Sequence, residues 1–216
     1  MKLVKALIVV LMFGFVSCGP SIRITDTWKS PGIDSIQSDN FIVMARTDDM
    51  VSRQRFEDEM VNQMVLSGMK AKASYIAYPD IKVNKKSSDA ETEKLIKVLK
   101  KDGYEGVVLT VLKDVKTDVI TQDTGASYYP TYYGGFGAYY GRFYSPYGMG
   151  GTYIPSSSRT YTSDTYKVET VVYDLTKAIG KQLVAVVSVD VTDPQSAAQV
   201  AEPYAIKVVQ EFKEQQ

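Results

Sequence analysis

Cys18 is the only cysteine in the 216 residues. A chain with no second thiol can form no intramolecular disulfide, so its fold must rest on a buried core. The position of that cysteine narrows the reading further. It follows, after Ser17, a stretch of eleven residues, 6–16, that carries no charge and is almost wholly aliphatic or aromatic. Lys2 and Lys5 precede the stretch. A positive start and an apolar run of this length have the build of a secretory signal. The run is too short to cross a hydrocarbon core of about 30 Å, which takes roughly 20 helical residues.

An ordinary signal-peptidase site ends in small residues of the A-x-A kind. Here Phe15-Val16-Ser17-Cys18 instead resembles the bacterial lipobox: an apolar position, a branched one, a small one, then cysteine. Phe15 stands where leucine is usual. The resemblance implies that residues 1–17 are removed and that Cys18 carries a thioether-linked diacylglycerol, commonly with an N-acyl chain such as palmitate. Each buried methylene contributes about 0.8 kcal/mol, and two or more chains suffice for stable anchoring. Gly19 rather than aspartate follows the cysteine, which by the family's sorting rule implies the outer membrane, with the domain facing the periplasm or the cell surface.

Removing residues 1–17 takes away Lys2 and Lys5 and leaves 23 basic against 25 acidic residues. No basic field remains to drive nucleic-acid binding. Histidine is absent altogether, which removes the commonest general base and the commonest metal ligand together. With Cys18 acylated, Ser–His and Cys–His nucleophiles and Cys/His zinc sites are excluded as well. The residues point to no cofactor, no metal and no catalytic set.

Along the rest of the chain, residues 18–40 read as a lipidated tether leading to an edge element, and residues 41–216 as one domain. Residues 41–45 (FIVMA) form a short apolar run suited to a buried strand. Thr47, Asp48 and Asp49 offer N-cap oxygens for a helix over 49–67, with Phe56, Met60 and Met64 on its apolar face and Gly68 ending it. The Glu57-Asp58-Glu59 cluster is expected on the solvated side of that helix. Residues 69–78 alternate loosely as a second strand. Ser88 and Glu91 have capping-box spacing ahead of a helix reaching about Lys101. A long β-rich run over 107–119 follows, and later strands over 165–175 and 181–191 are joined by a short connection at 176–180. Asp193-Pro194 reads as a helix start with proline at the first turn. Pro203 is expected to kink the last helix or divide it in two.

The element order is thus β-α-β-α-β-β-β-α, an α/β (α+β) single domain with a mixed sheet of about five strands and helices packed on it. The stretch beginning FIVMARTDDMVSRQRFEDEMVNQMVLSGMKA, the EGVVLTVLKDV strand and the final hairpin plus helix resemble a group of bacterial envelope domains. The group includes the N-terminal domain of TolB from the Tol–Pal system, the curli-secretion lipoprotein and the lipoproteins that activate penicillin-binding proteins. The resemblance spans roughly residues 40–215 in element order and hydrophobic pattern. It carries no catalytic motif and assigns no residue a role.

Residues 128–153 (YYPTYYGGFGAYYGRFYSPYGMGGTY) stand apart as a low-complexity loop between the third and fourth strands. They hold nine of the sixteen tyrosines and seven of the fifteen glycines, with Arg142 the sole charge. Gly and Pro disfavour regular structure, while tyrosine offers large amphipathic contacts at small entropic cost. Tyr132, Tyr133, Tyr139, Tyr140, Tyr144 and Tyr147 are the candidate partner-binding residues. Alternatives are a loop with no partner, or contact with headgroups or glycan. The expectation is a non-enzymatic lipid-anchored interaction or assembly module whose partners are the membrane and another envelope protein. The alternative is a binding protein for a small apolar or glycan ligand.

Overall fold

The computed structural model describes residues 20–31, 40–81, 88–119 and 162–213. Cys18 and the tyrosines of 128–153 lie outside these residues. Six strands form one mixed sheet: β1 (Ser21–Lys29), β2 (Asn40–Arg46), β3 (Lys70–Ala73), β4 (Gly106–Val119), β5 (Thr162–Asp174) and β6 (Leu183–Thr192), in the spatial order β1-β6-β5-β4-β2-β3. The parallel partners of β2 are β3 and β4, while β4-β5-β6-β1 pair antiparallel. Four helices accompany it among the described residues: α1 (Met50–Leu66), a single turn α2 (Ser74–Ala77), α3 (Asp89–Lys101) and α4 (Ala197–Lys213). The fold is the α/β single domain expected, with one strand more.

The two sheet faces explain the apolar runs. Phe41 to Ala45 are buried at every position because β2 is central and covered on both sides. Phe41, Val43, Val108, Val172 and Val189 pack on one face under Met60 and Met64 of α1 and Tyr204 and Val208 of α4. Ile42, Met44, Leu109 and Val171 pack on the other under Leu99, Leu95 and Ile96 of α3. Two of the three expected N-caps form. Asp49 accepts from the Val51 and Ser52 N–H groups, and the Ser52 hydroxyl and N–H hold its carboxyl below the ordinary range. Ser88 and Glu91 make the reciprocal capping box.

Several expectations are corrected. The extra strand, β1, lies inside the segment read as a tether, its Ile22 and Ile24 packed on the core. Only Lys70–Ala73 of the 69–78 segment is strand. The chain then leaves the sheet into α2, because the Ser74 hydroxyl and Tyr75 N–H both donate to Glu57 of α1. Glu57 is therefore not on the solvated side: it is fully buried, as is Arg53 nearly so, while Asp58 is exposed. Asp193 does not cap α4. It sits at φ 51° and its carboxylate accepts from Asp164 N–H (2.8 Å) and Ser163 Oγ (3.0 Å), tying the end of β6 to β5. Ser196 Oγ takes the capping role, accepting Gln199 N–H at 3.3 Å. Pro203 neither divides nor ends α4, which runs through it. The stripe Val200, Ala201, Tyr204, Ala205, Val208 and Val209 is buried, and that packing outweighs the one missing backbone bond.

Gly106 is a point of close approach. A Cβ there would stand 2.3 Å from Cε1 of Phe41, its buried neighbour on β2. Gly106→Ala is expected to destabilise the domain by about 1–3 kcal/mol through overpacking, read as a lower urea midpoint with unchanged slope.

Candidate functional site

Strands β2, β4 and β6 all point the same way, since β5 is antiparallel to both β4 and β6. Chain connectivity places β3 on one side of β2 and β4 on the other. In α/β sheets, crevices form at the carboxyl ends of strands where strand order reverses in this way. A cleft of about 360 Å³ lies at this end. The sheet supplies its floor through Thr110, Leu112, Tyr166, Val168 and Val191. Phe56 of α1 and Ala197 and Val200 of α4 form its walls. Its rim comes from the two segments that lead into those helices: Arg46, Thr47 and Ser52 on one side, Pro194, Gln195 and Ser196 on the other.

The floor is held from below by a chain of hydroxyls. Thr110 Oγ1 and Thr170 Oγ1 are 2.8 Å apart, and Thr170 Oγ1 is 2.7 Å from the Tyr204 hydroxyl. Burial pushes the Tyr204 phenol well above its ordinary range, so it stays protonated as a hydrogen-bonding group. Its ring meets Phe56 edge-on at 5.5 Å, which fixes α1 against α4 beneath the cleft. Arg46 is the charged residue among the lining, 7% exposed. The lining offers an apolar trough with several hydroxyl and amide groups at its edge. That chemistry suits binding.

A second buried polar constellation lies along α1. Glu57 Oε1 accepts from Ala45 N–H (3.0 Å), Arg53 Nε (2.9 Å) and Ser74 Oγ (2.8 Å), and Oε2 accepts from Tyr75 N–H (2.9 Å). Arg53 also donates through Nη2 to Ser74 Oγ (3.0 Å) and through Nη1 to the Ile81 carbonyl (3.4 Å). This network joins β2, α1 and α2. The other buried carboxylates are apart from it on β5: Glu169 pairs with Lys113 at 3.3 Å and Asp174 with Lys177 at 3.4 Å. Among the described residues, no group of three or more His, Cys, Asp and Glu side chains is placed to hold a metal ion. Likewise among them, no helix is long and apolar enough to cross a membrane.

The expected site residues, Cys18 and the six tyrosines, fall outside the described residues, but their attachment points do not. Ser21 at the start of β1 pairs with Thr192, and Thr192 pairs with Thr165 of β5. The last β4–β5 pair, Val119 with Thr162, lies three residues further along. The segment from Cys18 therefore enters the sheet at the end where segment 120–161 leaves and returns, which is also the end holding the cleft. Sequence reasoning missed the cleft residues, which come from six separate elements and share no motif.

No protein-family model matches the chain, and no curated protein matches it. Among solved structures, a PelC dodecamer from Paraburkholderia phytofirmans is similar at 11% identity, covering 91% of this chain and 99% of that one, with a TM-score of 0.44. The lipoprotein GNA1162 from Neisseria meningitidis is similar at 10% identity over 81% of this chain and 97% of its own, with a TM-score of 0.41. Likeness at these levels transfers no function.

Proposed function

We propose that this chain is a non-enzymatic, lipid-anchored envelope protein that acts as an interaction module, presenting the tyrosine-rich segment close to the membrane that holds it. The observation carrying this reading is the common end of the sheet. Only Gly19 and Pro20 separate Cys18 from β1. Three residues span at most about 11 Å, so an acylated Cys18 keeps the carboxyl ends of β2, β4 and β6 near the lipid surface. Segment 120–161 departs from that same end, on a β4–β5 ladder whose residues 114–118 are exposed or half-exposed. Tyrosine suits such a position, having an apolar ring for contact and a hydroxyl for the wet side. The partner that fits is another envelope protein set in or on the same outer membrane, with Tyr132, Tyr133, Tyr139, Tyr140, Tyr144 and Tyr147 as anchors.

Deleting residues 128–153 tests this. The deletion leaves all six strands intact, so the melting transition should be kept while cross-linking to the envelope partner in the native host is lost. An unchanged cross-linking pattern in a folded deletion protein would remove the segment from the reading. A second reading, a binding protein for a small apolar or glycan ligand, is favoured by the cleft.

A further inference from the structure

The cleft between α1 and α4 presents no charged side chain to a ligand. Arg46 enters the lining at the end of β2, but it alternates with Ile42 and Met44 onto the opposite face of the sheet, under α3. Its cross-strand neighbour Val111 belongs to that same face. Strand β2 therefore turns Ala45, not Arg46, towards the cleft. Among the described residues, no acidic side chain lines it. Val168, Val191 and Val200 are buried there, whereas Phe56, Leu112 and Tyr166 remain half-buried. Three large side chains from α1, β4 and β5 thus keep uncovered surface in one place, which an apolar body would bury. A volume of about 360 Å³ lies at the small end of ligand pockets, which limits the occupant to a small molecule. The rim adds polarity without charge. Thr47 Oγ1 accepts Asp49 N–H at 3.2 Å on one side, and Ser196 Oγ accepts Gln199 N–H at 3.3 Å on the other. A hydroxyl that accepts in this way keeps its own proton to donate.

We propose that this cleft binds a small uncharged molecule with an apolar body and an acceptor oxygen, the chemistry of a medium-chain ketone. The body lies over Leu112, Val168 and Val191, and the oxygen accepts from the Thr47 or Ser196 hydroxyl at the rim. A charged head would lose water there with no opposite charge to meet it, so the lining discriminates against anions and cations alike. The proposal rests on the second reading above, a small-ligand binding protein, and narrows it to uncharged, largely apolar ligands.

The test is calorimetric titration of the Cys18→Ala chain, freed of residues 1–17, with 2-octanone, octanoate and octylammonium, which differ chiefly in the charge of the head. The proposal expects saturable one-to-one binding of 2-octanone, with either ion bound more weakly by at least about tenfold. Thr47→Val combined with Ser196→Ala should weaken 2-octanone binding by roughly three- to tenfold, the loss of one neutral hydrogen bond. Ala197→Trp, at a half-buried lining position on the first turn of α4, should fill the mouth and weaken it by at least about tenfold. Should that variant fail to fold, methyl chemical-shift changes at Val168, Val191 and Val200 on adding 2-octanone to the otherwise unaltered chain decide the location. Either ion bound as tightly as 2-octanone, or full affinity in the Thr47→Val, Ser196→Ala chain, would overturn the proposal and leave the small-ligand reading standing. Full affinity in Ala197→Trp, or shifts confined to residues away from the cleft, would overturn it as well. Absence of saturable binding by all three compounds would overturn both. Because the titrated chain carries no lipid, none of these results depends on the anchoring reading.

Discussion

Glu57→Ala should lower the stability of the domain by about 3–5 kcal/mol, the cost of removing one partner from a buried ion pair. The magnitude follows from what is left behind. Arg53, 3% exposed, keeps only the Ser74 hydroxyl at 3.0 Å and the Ile81 carbonyl at 3.4 Å. The Ala45 and Tyr75 N–H groups lose their acceptor, and each unsatisfied buried donor is expensive. For a domain of this size the loss corresponds to a fall in Tm on the order of 10 °C. Arg53→Met should cost less, because Glu57 then retains three donors: Ala45 N–H, Ser74 Oγ and Tyr75 N–H. The double variant should be less than additive, since the two side chains act as one unit. Thermal melts of the three proteins check the order. A Glu57→Ala protein melting within about 2 °C of the parent would mean that the network does not tie β2, α1 and α2 together.

That network also shows where reading the sequence stopped short. Seven charged or polar residues among Ser52 to Glu59 look like a solvated helix face, and for Gln54, Arg55 and Asp58 they are. Arg53 and Glu57 share the stripe of Met60 and Met64 instead, at i, i+4 and i+7 from Arg53. Their opposite charges at i, i+4 were the available signal, but the acceptor-hungry donors of Ser74 and Tyr75 come from a turn that only the fold brings near. What was legible had local causes. Phe41 to Ala45 announce a strand covered on both faces, Ser88 and Glu91 a capped helix, and residues 107–119 a long strand that becomes exposed halfway. Strand β1 was obscured by half-exposure and by the register shift between Ile24 and Asp26, which breaks the alternation.

The cleft was less legible still. Arg46, Phe56, Thr110, Tyr166, Val191 and Ala197 are spread over 150 residues, and they meet because α1 and α4 both start at the carboxyl ends of parallel-pointing strands. None of them forms a motif with its sequence neighbours. By contrast, the lipobox-like run ending at Cys18 and the tyrosine-rich segment are motifs of composition and stand out without a fold. The structure adds that the described residues nearest to each lie at one end of one sheet.

Cys18→Ala is expected to have the largest functional effect of any single substitution, since in the proposed anchoring this one residue carries the whole attachment to the bilayer. A single acyl chain binds marginally and two or more anchor stably, so loss of the thiol should convert membrane-bound protein to released protein rather than weaken retention by degrees. The substitution leaves every described strand and helix untouched, so the released protein should melt as the parent does. The decisive measurement is metabolic labelling with a fatty-acid probe in the native host, followed by envelope fractionation of the parent and Cys18→Ala chains. The account expects label and outer-membrane fractionation in the parent, and neither in the variant. A parent chain that takes no label and fractionates with the soluble proteins would contradict the anchored module, and with it the placement of the cleft and the tyrosine-rich segment beside a membrane.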